Sequence, residues 1–271
     1  MNFHVEGSGP PVLLLHGIPT SGRLWDRVVA RLQGSFSCVV VDLPGFGGSA
    51  PRPDGSLNPD DYASELDGLR EQLGITSWHV IGHDAGATIA AHYGANFPER
   101  TSRLVLCSSP VFPELHVPWL FRLVRRPVLG VFLAPLVCWI LLPMALRSMI
   151  ADSAGANKET VRALRRVFSG LRGPRRLRHI VRWGKPEVVL ARTAGLLGRI
   201  TAPTLVVHSR NDQTVPLDFA TRAAKIIPDS ELSVMDCGHF IPLNCPEQFC
   251  SNLNAFLGRT TVAEPSESLA V

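Results

Sequence analysis

The sequence predicts an α/β fold in which helices cover both faces of a mostly parallel central sheet and a helical insertion interrupts that sheet. Three observations lead to this prediction. Short apolar runs alternate with amphipathic helical stretches up to residue 110. The alternation stops over residues 111–197 and resumes at residue 198. The runs are apolar along their whole length, which is typical of parallel strands that are buried on both faces.

Each predicted strand is a short apolar run bounded by turn residues, and most are followed by a helical pattern. In chain order, the predicted strands are PVLLLHG, SCVVVD, WHVIGH, RLVLCSS, TLVVH and ELSVM. The predicted helices around them are LWDRVVARLQG, DDYASELDGLREQLG, ATIAAHYGANFPER, FATRAAKIIP and CPEQFCSNLNAFLG. The 271 residues are 45% hydrophobic and 18% charged, so they can fill a core of this size.

The pattern divides the chain into three parts. We expect a core domain from residues 1–110 and 198–260, a helical, arginine-rich cap domain from 111–197, and a disordered tail from 261–271. The first residues lack the basic region of a secretory signal, and the six cysteines are scattered without metal-binding spacing. Both features favour a cytoplasmic protein with reduced thiols, and we expect no metal or cofactor.

The five residues GHDAG, from Gly82 to Gly86, lie where a predicted strand turns directly into a helix. Such a turn needs small residues two positions before and after its centre, because larger side chains would collide with the adjoining strand and helix. The pattern is typical of a nucleophile elbow, which would present Asp84 as the attacking group. The alternative is an ordinary helix that Asp84 caps.

Two further residues support the catalytic interpretation of Asp84. Asp212 follows the predicted strand TLVVH, and His239 follows the last predicted strand. The carboxyl ends of parallel strands lie at one edge of a sheet, so the three side chains should meet there. We therefore predict that Asp84, Asp212 and His239 form a catalytic triad.

The segment HGIPTS completes the predicted site. Gly17 would let the backbone approach the substrate, and Ile18–Pro19 is a candidate cis peptide. The backbone N–H groups of Ile18 and Ala85 would then form an oxyanion hole. His16 is expected to brace this loop and to perform no chemistry.

These motifs, in this order, resemble those of the α/β-hydrolase superfamily over residues 3–109 and 198–257. GHDAG and HGIPTS resemble the branch with an aspartate nucleophile, the epoxide hydrolases and haloalkane dehalogenases. The resemblance implies that Asp84 attacks a saturated carbon and forms an ester on the enzyme. A water activated by His239, which Asp212 orients, would then hydrolyse that ester. The DLPGFGGS loop is shared across the superfamily and carries little functional information.

The sequence departs from both kinds of enzyme. Epoxide hydrolases supply tyrosines from the cap as the acid over the ring oxygen, whereas Tyr62 and Tyr93 both lie outside the predicted cap. Haloalkane dehalogenases bind halide through a tryptophan after the nucleophile and a polar residue after His-Gly, where this chain has Ala85 and Ile18. We place an epoxide hydrolase first and a haloalkane dehalogenase second. A lyase or cyclase, a cofactor-free oxygen enzyme and a ligand-binding pseudoenzyme on the same fold remain open.

The rest of the pocket is predicted from polar and aromatic residues near the triad or in the cap, and its substrate is expected to be small and apolar. Candidates for an acid that assists the leaving group are His116, His179, Lys185 and the cap arginines. The predicted pocket residues are His16, His83, Trp119, Trp139, His179, Trp183 and Phe240.

The predicted cap combines an apolar run with a strong positive charge. Residues 127–146 are uncharged, which is long enough for a membrane span, but one span there would place Asp84 and His239 on opposite sides of a bilayer. Pro135 and Pro143 are expected to break the run into short helices.

Charge is unevenly distributed along the chain. Residues 110–200 contain 14 Arg and 2 Lys against 4 acidic residues, a net charge of +12, and the remainder carries −8. A peripheral contact of the cap with an anionic membrane or an acidic carrier is one interpretation, and an ordinary solvated face is the other. The charge lacks the interleaved aromatic residues of a nucleic-acid site, so no nucleic acid is expected. The oligomeric state stays open.

Overall fold

A computed structural model of the chain describes residues 1–52, 58–116, 119–151, 169–181 and 186–259. Three predicted features lie outside these residues, namely Trp183, Lys185 and the tail from 261 to 271. The side chain of His179 is also outside the description, although its backbone lies in a helix.

A seven-stranded sheet forms the centre of the described structure, in the order β1-β3-β2-β4-β5-β6-β7. All neighbouring pairs are parallel except β1 with β3. This arrangement confirms the predicted fold class. The strands are β1 (Asn2–Glu6), β2 (Pro11–Leu15), β3 (Ser37–Asp42), β4 (Trp78–His83), β5 (Thr101–Cys107), β6 (Thr204–Ser209) and β7 (Ser230–Met235).

The first strand was missed by the sequence analysis, for a physical reason. β1 is an edge strand whose five residues are all exposed, and it alternates Val5 with His4 and Glu6. Strands were predicted from buried apolar runs, and an edge strand in solvent need not contain one. By contrast, β6 is buried at every residue, as its apolar sequence predicts.

Helices cover both faces of the sheet, and those that the sequence predicted around the sheet agree with their segments to within about four residues. The short helix Ile241–Asn244 was not predicted. They are α1 (Asp26–Leu32), α2 (Pro59–Gln72), α3 (Ala85–Asn96), α9 (Leu217–Ile226), α10 (Ile241–Asn244) and α11 (Pro246–Leu257). Between β5 and β6 the structure has the helices α4 (Trp119–Val124), α5 (Leu129–Leu136), α6 (Leu142–Ala151), α7 (Gly173–Val181) and α8 (Pro186–Leu196).

The apolar run of the insertion (residues 111–197) is continuous helix, so the prediction that Pro135 and Pro143 break it is wrong. α5 passes through a π-helical turn, Val137–Leu141, directly into α6. In this turn the N–H of Leu142 donates to the carbonyl of Val137, five residues earlier. A proline removes only one backbone donor, and a local π adjustment accommodates its ring without ending the helix.

One helical stretch, Leu129–Leu146, is long and apolar enough to cross a membrane by length and composition, and only 28% of it is buried. The sheet excludes a single crossing at this point. β5 precedes the stretch and β6 follows it, yet the two strands are hydrogen-bonded neighbours, with Leu104 paired to Thr204. A chain that crossed a bilayer once between them would separate these strands by the full thickness of the membrane.

Candidate active site

The turn from β4 into α3 holds Asp84 in a conformation that L residues rarely adopt. Its φ is +52° and its ψ is −124°. A Cβ on Gly82 would lie 2.3 Å from the carbonyl oxygen of Gly86, and one on Gly86 would lie 2.3 Å from the carbonyl oxygen of Leu15. Both glycines are therefore required by close backbone approach, and the turn has the geometry of a nucleophile elbow.

The three predicted catalytic side chains come together at the carboxyl edge of the sheet. His239 Nδ1 hydrogen-bonds Asp212 Oδ2 at 2.8 Å, and His239 Nε2 lies 3.9 Å from Asp84 Oδ2. The other oxygen of Asp212 accepts the backbone N–H groups of Thr214 at 2.8 Å and Val215 at 3.0 Å. These two bonds fix the carboxylate that in turn orients the imidazole.

The backbone amide of Ile18 already contacts Asp84. Its N–H donates to Asp84 Oδ1 at 2.8 Å, and the Ile18–Pro19 peptide is cis, as the sequence suggested. A Cβ on Gly17 would lie 2.4 Å from Asp84 Cβ. The expected role of Gly17 is therefore corrected: the absence of its side chain makes room for Asp84 rather than for the substrate.

The surroundings of Asp84 and Asp212 shift the pKa values of the two carboxyl groups in opposite directions. Burial raises the pKa of Asp84, and this rise is opposed by His239 and by hydrogen bonds from the amides of Ala85 and Ile18. Burial also acts on Asp212, but its hydrogen bond to His239 and the two backbone donors lower its pKa to about 2. Asp212 therefore stays charged at neutral pH, whereas Asp84 is a buried and poorly hydrated carboxyl group.

The imidazole of His239 is poised for proton transfer. Burial disfavours its charged form, but the hydrogen bond to Asp212 and the charges of Asp212 and Asp84 outweigh burial and raise its pKa. A base whose pKa lies above its ordinary value takes a proton from water more readily, provided that it is neutral when water arrives.

The backbone of His239 is held by two side chains, one of which the sequence analysis did not single out. His83 Nε2–H donates to the carbonyl of His239 at 3.0 Å, and Ser108 Oγ donates to the same carbonyl at 3.2 Å. Ser108 also has a positive φ of 46°. A serine directly after a strand is common, so neither the motif nor its spacing pointed to this role.

His83 was predicted to line the substrate pocket, and the structure corrects this prediction. The ring is fully buried, stands 4.9 Å from the ring of His239, and supports the backbone of that residue. Burial lowers the pKa of His83 to about 3, so it stays neutral. His83 is therefore a positioning residue for His239.

His16 is also a support and does not face a pocket. Its Nδ1–H donates to the carbonyl of Gly17 at 2.9 Å, and its Nε2 accepts the N–H of Leu43 at 3.0 Å. Burial lowers the pKa of His16 to about 4. Both ring nitrogens are occupied, so His16 joins the HGIPTS loop to the DLPGFGGS loop.

The remaining predicted pocket residues divide into two groups. Phe240 is buried and packs edge-on against His239, with ring centroids 5.0 Å apart. Trp119 is 67% exposed and Trp139 is 48% exposed, so both rings lie on the outer surface of the insertion rather than against the buried Asp84. The indole N–H of Trp139 donates to the carbonyl of Gly170 at 3.3 Å. The expectation that these two tryptophans line the pocket is corrected, because the helices that carry them turn the rings outward.

An open cleft of about 520 Å³ lies away from this site. It is lined by Arg70, Glu71, Gly74, Ile75, Thr76, Glu99 and Arg100. Ile75 and Thr76 precede β4, whereas Asp84 follows it, so the cleft is at the amino edge of the sheet. Ligands of open α/β sheets bind at the carboxyl edge, which separates this cleft from the catalytic groups.

Comparison with known proteins agrees with the fold. A family model described as the alpha/beta hydrolase fold matches residues 10–138. A pimeloyl-[acyl-carrier protein] methyl ester esterase of Vibrio vulnificus is 30% identical over 273 residues, which cover 96% of this chain and 98% of the relative. The chain belongs to the α/β hydrolases. The nearly complete coverage of both proteins extends this assignment to the insertion.

Solved structures show that the fold of this hydrolase is shared by enzymes with different chemistry. A meta-cleavage product hydrolase from Pseudomonas fluorescens superimposes with a TM-score of 0.76 and 22% identity, covering 95% of this chain and 93% of the other. The epoxide hydrolase CorEH superimposes with a TM-score of 0.78 and 22% identity, covering 94% of each chain. Likeness at this level establishes the fold of the hydrolase and leaves its substrate to be argued from the site.

Proposed function

We propose that this hydrolase uses Asp84 as a nucleophile toward a saturated carbon and that its substrate is a small apolar epoxide. One observation carries the proposal. The elbow presents a carboxylate whose Oδ1 is held by the Ile18 amide at 2.8 Å, while its Oδ2 faces His239 Nε2 at 3.9 Å. The two oxygens are therefore already differentiated, one bound by an amide and the other directed toward the histidine.

In the first step, Oδ2 of ionised Asp84 attacks a ring carbon of the epoxide. The C–O bond of the ring breaks, its electron pair stays on the ring oxygen, and that oxygen takes a proton from solvent water to become a hydroxyl. Asp84 becomes an ester whose carbonyl oxygen is Oδ1. Burial leaves the carboxylate poorly hydrated, so less solvent must be removed from it as the bond forms.

In the second step, water adds to the carbonyl carbon of the Asp84 ester. Neutral His239 accepts the water's proton, and Asp212 stabilises the imidazolium that forms. The negative charge that develops on Oδ1 meets the amides of Ile18 and Ala85, which already act on this carboxylate. Collapse of the intermediate breaks the bond between the carboxyl carbon and Oδ2, and the departing diol oxygen takes the proton back from His239. Asp84 then loses its remaining proton and is a carboxylate again.

The same chemistry argues against an ordinary ester as the substrate. Carboxylate attack on an ester would form an anhydride and would have to expel an alkoxide, which is far more basic than a carboxylate with an ordinary pKa near 4. The reverse reaction would therefore dominate. An epoxide opens with relief of ring strain, so the ester that forms does not return to starting material at the same rate.

A haloalkane dehalogenase is the second candidate, because HGIPTSGRLW is similar to the dehalogenase pattern. The positions of the tryptophans in the insertion argue against a dehalogenase. Trp139 donates its indole N–H to Gly170, Trp119 lies on the surface, and Ala85 follows the nucleophile. Among the described tryptophans of the insertion, neither is directed at Asp84 to bind a halide ion.

The proton of the opened ring oxygen does not come from either tyrosine of this chain. Tyr93 is buried and donates to Asp67 at 2.9 Å, and Tyr62 is buried in the core, so neither tyrosine serves. His116 is exposed, and His179 and Lys185 lie outside the described side chains. Imidazolium at position 239 can supply a proton only after the second step has begun.

A single turnover in heavy-oxygen water tests the nucleophile directly. We expect the diol from this turnover to contain no heavy oxygen from the solvent, and the label to appear in the peptide that contains Asp84. This follows because the oxygen that joins the carbon comes from Asp84 and is replaced from water only during ester hydrolysis. A labelled diol together with an unlabelled Asp84 would exclude the mechanism.

A substrate panel with Asp84→Asn distinguishes the other functions. Terminal and internal epoxides should yield diol, haloalkanes little halide, and Asp84→Asn should reduce turnover by at least about a thousandfold, since an amide cannot form the ester. Appreciable activity in Asp84→Asn would favour a lyase or cyclase that relies on His239. Hydrolysis of simple esters alone would contradict the aspartate mechanism.

A further inference from the structure

The helix that runs from α5 through the π turn into α6 has two apolar faces. The buried face carries Gly130, Ala134, Cys138, Leu142 and Leu146, at intervals of four residues. It packs against α7, whose Leu177 and Ile180 are also buried. This buried face is sufficient to pack the helix against the rest of the fold.

The opposite face is apolar as well, and it is in solvent. It is offset from the buried face by two residues, or about half a turn, and we call it the outer apolar face. Phe132 is 74% exposed and Met144 is 60% exposed. The outer apolar face consists of Val128, Phe132, Leu136, Trp139, Ile140 and Met144. A contiguous exposed apolar surface of this kind marks an interaction site.

Basic residues lie beside the outer apolar face at two places. At its start, the exposed Arg122 and Arg126 come six and two residues before Val128. Farther along, the bond from Trp139 to the carbonyl of Gly170 brings the exposed Leu171 and Arg172 beside the face.

A second contact places further basic residues alongside the same helix. Arg178 Nη2 donates to the carbonyl of Pro127 at 3.0 Å, which holds α7 and its exposed Arg175 next to the start of α5. Residues 115–151 and 169–181 contain eight arginines and no acidic side chain. The surface is therefore apolar in the middle and positive at its margins.

We propose that the outer apolar face docks on the surface of an anionic lipid bilayer, with the helix lying parallel to the membrane. Apolar side chains would enter the acyl boundary while arginines contact lipid phosphates, and a tryptophan with a bound N–H suits the interfacial level. The helix does not span the bilayer, because β5 and β6 join its two ends in one sheet. This proposal is independent of the reaction at Asp84.

Two other occupants fit the observations less well. A second copy docked by twofold symmetry on this face would bring the arginines of both copies together, which costs electrostatic energy. An acidic protein would neutralise the arginines but would need a matching apolar surface of the same length. A bilayer with anionic headgroups provides both features at once.

Vesicle flotation tests the proposal with the full chain. The native protein should float with vesicles of phosphatidylcholine mixed with phosphatidylserine, more weakly with phosphatidylcholine alone, and less at high salt. The double variant Phe132→Ser/Ile140→Ser should weaken this partitioning by about tenfold or more. The matched control Ile226→Ser removes a partly exposed apolar side chain of α9 and should change nothing.

Arginine variants test the charge contribution separately. Arg126→Gln and Arg175→Gln should each weaken binding to the anionic vesicles about fivefold, whereas Arg199→Gln, exposed near the end of the insertion, should not. Light scattering on the same proteins reports their oligomeric state. Absence of flotation with both vesicles would overturn the proposal. So would a native dimer that Phe132→Ser/Ile140→Ser makes monomeric, or binding to an acidic carrier protein without any binding to vesicles.

Discussion

At the scale of single residues, the site depends on how differently the protein treats two aspartates. Asp212 accepts three hydrogen bonds, and its pKa falls to about 2, so it remains charged throughout the neutral range. Asp84 is buried, its Oδ1 accepts the N–H of Ile18, and burial raises its pKa. The difference assigns Asp212 to orienting His239 and leaves Asp84 available to react.

The first prediction concerns the pH dependence of the proposed hydrolysis of the Asp84 ester. His239 must be neutral to accept a proton from water, so the step should be lost as pH falls through the pKa of His239. Asp84 is esterified and uncharged at this stage, so Asp212 is the group that raises that pKa, and the loss should occur at higher pH than the titration of an ordinary imidazole. Rapid-quench decay of the alkyl-enzyme against pH measures it.

Replacement of Asp212 checks the cause of this shift. In Asp212→Asn the charge that raises the pKa of His239 is gone, so the remaining activity should titrate at lower pH. Asp218→Asn, an exposed residue of the next helix, should leave the profile unchanged. An unshifted profile in Asp212→Asn would show that another group controls the rate.

A second prediction concerns the space beside Asp84, the proposed nucleophile. Gly17→Ala places a methyl group 2.4 Å from Asp84 Cβ and 2.5 Å from Asp84 Oδ1, so the carboxylate must move. We expect turnover to fall by at least about a hundredfold, since small displacements at a reacting group are costly. Gly34→Ala is the control, because its added Cβ meets no atom within 4 Å. Equal activity of the two variants in steady-state assays would contradict the assigned role.

At the scale of elements, a buried polar network joins the insertion to the core. His92 of α3 hydrogen-bonds Asp60 of α2 at 2.7 Å and Thr193 of α8 at 2.9 Å. Arg192 of α8 forms an ion pair with Asp60 at 2.7 Å. Burial lowers the pKa of His92, so its ring is neutral. The carboxylate of Asp60 can only accept, so Nδ1–H donates to it and Nε2 accepts from the Thr193 hydroxyl, whose oxygen also lies 2.9 Å from the carbonyl oxygen of Val189.

The third prediction is that this network anchors α8. Thr193→Val keeps the shape of the side chain but leaves the buried Nε2 of His92 without its hydroxyl, which should cost about 1–3 kcal/mol of unfolding free energy. Urea unfolding measures the loss, and faster amide exchange within Pro186–Leu196 would locate it. Thr221→Val, whose hydroxyl bonds only within its own helix, should cost less than about 1 kcal/mol. A similar loss in both variants would argue against the anchor.

At the scale of the whole molecule, the two sequence segments on either side of the insertion form one sheet. The turn that holds Asp84 follows β4, before the insertion, and the loops of Asp212 and His239 follow β6 and β7, after it. β5 pairs with β6 and so joins the two segments. The apolar helix of the insertion therefore begins and ends on the same side of any membrane that the protein contacts.

The fourth prediction tests this topology in cells. Cysteines introduced at Arg31 in α1 and at Arg222 in α9 flank the apolar helix in sequence. An impermeant thiol reagent should label both of them in the same membrane preparation, either inside-out or right-side-out vesicles. Labelling of one cysteine in each preparation would show that the helix crosses the bilayer. The native cysteines are mostly buried, which keeps the background low.

The difference between what was and was not predictable follows the range of the interactions involved. β6 and its neighbours were recognisable because a parallel strand that is buried on both faces is apolar along its whole length. β1 was not, since its place at the edge is set by pairing with β3, more than thirty residues later. The continuity of the helix through Pro135 also depended on a π turn that no local signal announced.

The sequence by itself determined the alternation of elements, the elbow at Asp84, and the order in which Asp212 and His239 follow it, because each of these is written in short contiguous patterns. Only the tertiary structure decided which atoms meet. The amide of Ile18 reaches Asp84 across 66 residues, and His83 reaches the carbonyl of His239 across 156. Apolar periodicity reports that a side chain favours burial, but which face of the insertion finds a partner is a property of the packed fold, and so one apolar face lies inside and the other in solvent.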